Sequence, residues 1–325
     1  MLKPKLLYRS ADMCNFRTGW ILPLVTEHFD MIEYDPDTSY SLDHAVFTTY
    51  QQDFLAEPWY SDLEQSGHRI ILDHLFDSDV DTTSFRLHST KLDLRNGHWS
   101  WYHAALLGTH YGYDSYKPEP AYTHDFLCLM NKQREHRDRV QQDLEPELES
   151  AIWSYVERGR DIQDSVQHSS PVYWAYYNNP DWYNSTAWSL VVESYMRGDS
   201  WFRSPSYPNY RTEISEKTYK PMAYYHPFIV VGSEGTLRWI KSQGFETFDN
   251  LWDESYDTIP SDTARLDQCL ALSRHVVLNY NSKVTEWDLI TQLKLQHNHE
   301  HFYDIELVRK RFAKEIVADI LEFLN

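Results

Sequence analysis

Residues 214–244 read ISEKTYKPMAYYHPFIVVGSEGTLRWIKSQG, and the order of patterns in this stretch decides the fold. The polar opening favours a helix that begins near Ser215, a residue type that caps helix N-termini. Tyr219 and Met222 then fall on its inward face. The apolar run HPFIVVG predicts a buried strand, and TLRWIKSQG predicts a second helix. A buried strand between two helices is typical of a parallel α/β sheet.

The same alternation of apolar runs and helical patterns extends through the chain. Before residue 118, a helix is predicted through 19–29, and apolar or strand-like runs lie at 5–10, 31–35, 44–50 and 69–77. After it, a helix is predicted from 134 to 148, and strands are predicted at 125–131, 151–156, 188–194 and 245–248. The proline-rich segment 115–125 predicts a linker. From about residue 262 the pattern is helical, so we expect two α/β halves with a helical C-terminal tail.

Composition excludes several classes of protein. The chain has 30 Lys plus Arg against 49 Asp plus Glu, a formal net charge of −19. Such a surface repels a polyanion at long range, which disfavours a general nucleic-acid binder. Three widely spaced cysteines argue against a disulfide scaffold or a structural zinc site. No apolar run is long enough for a signal peptide or a membrane span, so we expect a cytoplasmic protein.

A basic cluster opens the helix that follows the strand at 125–131. The cluster contains four cations, Lys132, Arg134, Arg137 and Arg139, and only two acids, Glu135 and Asp138. In an open α/β sheet, ligands collect at the carboxyl ends of strands, where helix N-termini point. Arg137 and Arg139 are suited to hold phosphate through bidentate hydrogen bonds. A solvated helix face with ion pairs between successive turns is the alternative interpretation.

A second net-positive stretch covers residues 203–220. It contains four cations and two acids, namely Arg203, Arg211, Lys217, Lys220, Glu213 and Glu216. Upstream, Glu193 stands at the end of the predicted strand 188–194, again a position that faces ligands. Its carboxylate is suited to a pair of ribose or sugar hydroxyls, while Lys217 and backbone N–H groups hold phosphate. A capped helix with surface charges is the alternative.

The order WSLVVES, loop, ISEKTYKPMAYYHPFIVVGS resembles the donor-binding signature of α1,3-fucosyltransferases. In that family a strand ending in a Phe–Glu–Asn triplet is followed by a Thr–Glu–Lys helix and a strand ending in glycine. Glu193 falls on the family's donor-sugar glutamate, and Glu216 and Lys217 fall on its Glu–Lys pair. The chain departs from the triplet at its two flanking positions, Val192 and Ser194.

The resemblance implies a GT-B-like glycosyltransferase with two Rossmann-like domains, a hexosyl- or pentosyltransferase that is metal-independent. Its domains would be an acceptor-side domain (1–118), a nucleotide-sugar-binding domain (119–303) and a C-terminal helix (304–325). The nucleotide sugar is a substrate, and no cofactor is expected. Arg137 or Arg139 would take the place of the family's arginine that contacts the diphosphate. The predicted donor-binding residues are Arg134, Arg137, Arg139, Glu193, Ser215, Glu216, Lys217, Tyr219 and Lys220.

An inverting transferase also needs a base that takes the proton of the acceptor hydroxyl. The stretch RIILDHLFDSDVD (69–81) supplies Asp73 and His74 close to a strand end, and we predict them as the catalytic pair. Helix capping or turn formation is the alternative role for these side chains.

The same stretch contains a DxD motif, Asp79 and Asp81, which is typical of metal-dependent transferases because hard cations prefer carboxylate oxygens. The histidine-rich HNHEH (297–301) is expected to be a polar loop between helices.

Three functions follow from these patterns. The first is an inverting, metal-independent glycosyltransferase, the second a transferase-like binding or structural protein without catalysis, and the third a DxD metal-dependent transferase. FLCLMNKQREHR (126–137) and GTLRWIKSQGFETFDNLWDESYD (235–257) are similar to proteins of tailed bacteriophages, which implies the host-cell cytoplasm as the location. The acceptor stays open among a glycan, a protein and a modified DNA base.

Overall fold

The computed structural model describes residues 4–8, 26–33, 35, 37–40, 45–49, 70–73, 85–87, 95–110, 112–160, 162, 179–194, 196 and 214–324. The chain divides into two compact units, one of Met1–Lys91 with Arg309–Asn325 and one of Leu92–Val308. The boundaries of these units, after residues 91 and 308, differ from the domain limits predicted after residues 118 and 303. The segment predicted as a linker, 115–125, lies inside the second unit.

The first unit contains a five-stranded parallel sheet. Its strands are β1 (Lys5–Tyr8), β2 (Asp30–Glu33), β3 (Ala45–Thr49), β4 (Ile70–Asp73) and β5 (Phe85–Leu87). They lie in the order β2-β1-β3-β4-β5, and every pair of neighbours is parallel. Asp73 is the last residue of β4, so it lies at the carboxyl edge of this sheet.

The second unit contains a four-stranded parallel sheet. Its strands are β6 (His124–Met130), β7 (Ile152–Tyr155), β8 (Thr186–Val192) and β9 (Phe228–Val231). They lie in the order β7-β6-β8-β9, all parallel. Every residue of β8 and β9 is buried. Continuous apolar runs of this kind, without alternation, fit strands covered on both faces, as parallel strands are. The predicted α/β class with parallel sheets is confirmed.

Both sheets are wound in the same way. In each, the first strand lies inside the sheet, the second lies on one side of it and the third on the other. The direction of winding therefore reverses between β1 and β3, and again between β6 and β8. In open α/β sheets the crevice beyond the carboxyl ends of two such strands is the usual ligand site. The two reversal points are where the fold itself favours binding.

The helices of the described residues follow the strands and connect them. They are α1 (Arg95–His110), α2 (Glu135–Asp143), α3 (Glu145–Leu148), α4 (Pro180–Ser185), α5 (Glu216–Ala223), α6 (Thr236–Ser242), α7 (Asp262–Asn279), α8 (Leu289–Phe302) and α9 (Ile305–Leu324). The helix predicted at 134–148 is thus two helices, and Pro146 in the first turn of α3 supplies no backbone N–H to a continuous helix. No helix in these ranges is long and apolar enough to cross a membrane.

The predicted strand at 245–248 is not formed. Instead, polar side chains bind its backbone: Asn298 accepts from the Glu246 N–H at 2.7 Å and donates to the Glu246 carbonyl at 2.8 Å. The carboxylate of Glu254 accepts from the Phe248 N–H at 2.7 Å and from the Thr247 hydroxyl at 2.6 Å. Since buried backbone groups need partners from some source, these side chains replace a neighbouring strand.

The HNHEH segment is not a loop but the last part of α8. Its three imidazoles bind carbonyl groups at the C-terminal ends of other helices. His297 Nε2 lies 2.7 Å from the Gly244 carbonyl and His301 Nε2 lies 2.8 Å from that of Gln243, both at the end of α6. His299 Nδ1 lies 2.8 Å from the Ala223 carbonyl at the end of α5. Helix ends have carbonyls without an intrahelical partner, and here imidazole N–H groups satisfy them.

We predict that His299→Ala destabilises the protein by about 2 kcal/mol, because it removes a buried hydrogen bond and a ring stack. The ring of His299 is 4% exposed and stacks on Tyr225 with centroids 4.2 Å apart. Leu293→Ala, at an exposed position on the same helix, is the matched control and should change stability by less than about 0.5 kcal/mol. Urea unfolding measures both, and equal losses would contradict the capping role of His299.

Candidate functional site

The candidate site lies at the carboxyl edge of the second sheet, beside the reversal point between β6 and β8. Four strands end at this edge, and three of the connections that follow them form the candidate site: residues 131–134 after β6, residues 193–194 after β8 and residues 232–235 after β9. The first leads into α2 and the third into α6, while α5 is the helix that precedes β9. Parallel strands present all their carboxyl ends at one edge, so side chains from these connections are brought close together.

Glu193 is fully buried and its carboxylate is bound by the start of α5. It accepts hydrogen bonds from the Ser215 N–H at 3.0 Å, the Ser215 hydroxyl at 2.5 Å and the Thr218 hydroxyl at 2.5 Å. The Ser194 N–H donates a fourth at 3.3 Å. A carboxylate accepts about four hydrogen bonds, so these donors saturate it. The side chain predicted to bind the donor sugar is instead engaged within the protein in this structure.

The backbone of Glu193 is bound as closely as its side chain. Its N–H donates to the Val231 carbonyl of β9 at 3.0 Å. Its carbonyl lies 3.0 Å from Arg137 Nη2 and 2.9 Å from His136 Nε2, both on α2. Glu193, the first residue after β8, therefore connects β9, α2 and α5.

Arg137 does not face an open edge as the sequence suggested. Its side chain is 2% exposed, and its guanidinium donates to the carbonyls of Lys132 at 2.9 Å and Val192 at 3.2 Å, as well as to Glu193. Arginine is suited to such a place because its planar group has five donors. In this structure Arg137 joins the connections after β6 and β8.

The other two arginines of the basic cluster bind other groups than Glu193. Arg139 donates to Asp143 one turn along α2 at 2.7 Å and to Asp267 of α7 at 2.9 Å. This arrangement agrees with the alternative interpretation, a helix face with ion pairs. Arg134 is the residue before α2, and its Nη1 donates to the Gln133 carbonyl at 2.8 Å. Of these two, Arg134 is therefore the one that remains at the carboxyl edge.

The first turn of α5 has the cap that its sequence predicted. Ser215 is the N-cap, and its hydroxyl accepts from the Lys217 N–H at 3.3 Å. The Lys217 ammonium donates to Glu216 Oε1 at 2.7 Å, and both side chains are largely buried, with 20% and 16% exposure. Desolvation raises the pKa of Glu216, but the charges of Lys217 and Lys220 outweigh it, so its pKa lies below the ordinary value.

Lys220, one turn further along α5, has a different environment. It is partly buried, and desolvation lowers its pKa to about 8. The carboxylates of Glu216 and Glu193 oppose this lowering, and Lys217 adds to it.

Tyr219, also predicted to bind the donor, lies in the core instead: it is fully buried, with its ring 6.2 Å from Trp101.

At the start of α6, which follows β9, a second buried carboxylate accepts hydrogen bonds from backbone N–H groups. Asp257 accepts from the Leu237 N–H at 2.8 Å and the Arg238 N–H at 3.0 Å. Desolvation raises the pKa of Asp257 above its ordinary value. Nearby, the buried Arg265 donates from Nε to the carbonyl of Gly232 at 2.8 Å.

Several residues at this edge escaped the sequence analysis: His136, Thr218, Asp257 and Arg265. Of these four residues, only Thr218 could have been found from the sequence, because a hydroxyl three residues after the N-cap lies on the capped turn. The partners of the other three are far along the chain. His74, Asp79, Asp81, Arg203 and Arg211 lie outside the described residues. Within the described ranges, no group of three or more His, Cys, Asp or Glu side chains is arranged to hold a metal ion.

Neither a protein-family model nor a curated protein sequence matches the chain. Among solved structures, an α1,3-fucosyltransferase aligns with a TM-score of 0.38 and 8% identity, over 96% of this chain and 90% of that chain. An α1,3-fucosyltransferase with GDP aligns with a TM-score of 0.36 and 9% identity, over 96% and 91% of the two chains. Since TM-scores this low do not establish a common fold, we base the proposed function on the contacts of this chain.

We predict that Glu193→Ala destabilises the protein by about 3–5 kcal/mol, because three donors at the start of α5 and the Ser194 N–H lose their acceptor. Glu149→Ala is the matched control, since Glu149 is exposed, and it should change stability by less than about 0.5 kcal/mol. Chemical denaturation measures both. If Glu193→Ala cost no more than the control, the carboxylate would not hold α5.

Proposed function

We propose that this chain is a glycosyltransferase that moves a sugar from a nucleoside-diphosphate donor to a hydroxyl acceptor. Its donor site would be the carboxyl edge of the second sheet, at the start of α5. The reaction would be inverting and independent of a metal. The donor is a substrate, and no further cofactor is part of the proposal.

One observation carries this proposal: a cluster of two lysines and one glutamate is held by Glu193 at the carboxyl end of β8. This end adjoins the reversal point of the sheet, where α/β proteins bind nucleotides. Lys217 and Lys220 are the cations of α5 in a chain whose net charge is −19. A negatively charged phosphate group is the ligand that this combination of place and charge favours.

The chemistry needs charge stabilisation at the leaving group. The acceptor oxygen attacks the anomeric carbon, the bond from that carbon to the phosphate oxygen breaks, and the electron pair leaves with the nucleoside diphosphate. The N–H groups that a helix start offers to an anion are already partly used in α5, by Glu193 and by the Ser215 hydroxyl. The lysine side chains are therefore left to stabilise the departing charge.

Asp73 is the base that we propose for the acceptor hydroxyl. It ends β4 at the carboxyl edge of the first sheet, the position at which this fold class places functional side chains. A base at this place takes the proton as the acceptor oxygen attacks.

A binding protein without catalysis is the second candidate, and the saturated carboxylate of Glu193 favours it. If this side chain binds no sugar hydroxyl, the edge of the sheet keeps a phosphate-binding cluster but lacks one predicted contact to the sugar. Such a protein would bind a nucleoside diphosphate without turning over a nucleotide sugar.

Nucleoside diphosphates should raise the melting temperature of the protein, because a ligand that binds only the folded state stabilises it. A panel of nucleoside diphosphates and nucleotide sugars, with and without EDTA, measures this shift. We expect a shift that EDTA does not change, and hydrolysis of at least one nucleotide sugar without acceptor. Binding without hydrolysis would favour the second candidate, loss of the shift in EDTA would favour the DxD alternative, and no shift with any member would refute both candidates.

We predict that Asp73→Asn lowers kcat by about 10²–10⁴-fold, the usual contribution of a positioned base. The KM for the donor should change little, because the base acts on the acceptor. Asp30→Asn, an exposed aspartate at the start of β2, is the matched control and should leave kcat unchanged. Steady-state kinetics with the best donor of the panel separates these outcomes. Equal rates for wild type and Asp73→Asn would remove Asp73 from the mechanism.

A further inference from the structure

The second sheet has two outer strands among those that the structure describes, β7 and β9, and their outer edges have different surroundings. The edge of β9 is covered: the Val230 N–H donates to the Tyr256 hydroxyl at 3.2 Å, and every residue of the strand is buried. β7 lies nearer the surface, since Ile152 and Trp153 are only half-buried. An outer strand near the surface has backbone groups that can pair with another extended chain.

The sequence of β7 and its flanks favours such pairing. Residues 151–156 read AIWSYV, a run without charge, proline or glycine, in which Ile, Trp, Tyr and Val are residue types that prefer strands. Short runs of this composition are typical of segments through which copies of a chain associate. The charged stretch ERGR (157–160) follows directly. Charges that flank an apolar strand are typical of positions that prevent association.

The backbone of Arg160 binds the outer edge of β7. After Tyr155 the chain makes a tight turn and returns antiparallel to the strand, so that Arg160 pairs with Tyr155. The Tyr155 N–H donates to the Arg160 carbonyl at 2.8 Å, and the Arg160 N–H donates to the Tyr155 carbonyl at 3.2 Å. The turn depends on Gly159, whose φ of 79° lies in the left-handed region that favours glycine.

The side chain of Arg160 binds a second residue of the strand. Its Nε donates to the Trp153 carbonyl at 3.1 Å. Its guanidinium also lies over the Trp153 ring, with Cζ 4.1 Å from the ring centroid, which is the geometry of a cation–π contact. Arg160 thereby occupies the carbonyls of two residues of β7 and the N–H of one.

Residues 156–160, here called the edge turn, are also bound by groups outside β7. The Glu157 N–H donates to the Asn131 carbonyl at 3.0 Å, and the Glu157 carboxylate accepts from the Gln133 N–H at 2.7 Å. Arg158 Nη2 donates to Asp138 of α2 at 3.0 Å. These contacts with the connection after β6 and with α2 hold the edge turn, and with it Arg160, beside β7.

We propose that the edge turn blocks strand addition at the outer edge of β7, and that the strand it excludes is β7 of a second copy of this chain. Two copies related by a two-fold axis would bring this strand against itself in antiparallel pairing, the self-complementary contact of a symmetric dimer. Arg160 prevents this contact, because it already binds backbone groups that the pairing would use. None of these contacts depends on the proposed function.

Gly159→Ala tests the edge turn. Alanine is strained at a φ of 79°, and no described atom lies within 4 Å of the added Cβ, so the substitution acts through the backbone of the turn. Gly112→Ala is the matched control, since Gly112 has the same φ and the same open space in the turn after α1. Sedimentation velocity over a range of protein concentrations measures association. Gly159→Ala should associate at a concentration at least about tenfold lower than Gly112→Ala.

Arg160→Ala tests the side chain alone. It removes the donor to the Trp153 carbonyl and the group over the Trp153 ring, while the backbone of the edge turn is kept. Lys283→Ala removes the same charge from an exposed lysine and controls for net charge. Arg160→Ala should associate at a lower concentration than Lys283→Ala. If Gly159→Ala does not fold, this second pair of variants decides by the same criteria.

Hydrogen exchange identifies the surface through which the copies associate. In the associated variants, the amides of residues 151–156 should exchange more slowly than in the same variants at low concentration, because strand pairing protects N–H groups. Two results would overturn the block: association of each variant at the same concentration as its control, or association that leaves the exchange of residues 151–156 unchanged. The second result would assign the contact to another surface of the chain.

Discussion

A single buried carboxylate connects the parts of the second unit that carry the candidate site. Glu193 accepts from Ser215 and Thr218 through its side chain, while its carbonyl accepts from Arg137 and His136. Its N–H continues the ladder to β9. A buried charge is tolerated only with such complete partners, and the groups that bind Glu193 lie on α2, α5 and β9. The position of α5, and with it the direction of both lysines, therefore depends on this residue.

Internal carboxylates close two helix starts in this unit. Glu193 occupies the start of α5, and Asp257 occupies the start of α6. Helix starts are common anion sites because their N–H groups lack intrahelical partners, and here the protein supplies the anions itself. Under the proposed function, a phosphate of the donor would therefore bind side chains rather than these N–H groups.

The alternation of apolar runs and helical patterns was enough to predict parallel sheets, because runs such as FIVV can be buried only between covering layers. It also placed Glu193 at the end of β8. The direction of its carboxylate was beyond prediction, since its partner Ser215 is 22 residues away and meets it only after the sheet has formed. Polar composition misled at HNHEH, whose imidazoles bind the ends of α5 and α6 rather than water.

The contrast between Lys217 and Lys220 illustrates why spacing alone does not assign a binding residue. The two lysines have the same charge and are three positions apart on one helix, with Lys220 in its last turn. They differ in what has already been satisfied, because Lys217 has Glu216 at 2.7 Å. This difference is visible only in the folded chain, because the sequence pattern places both lysines on the same helix.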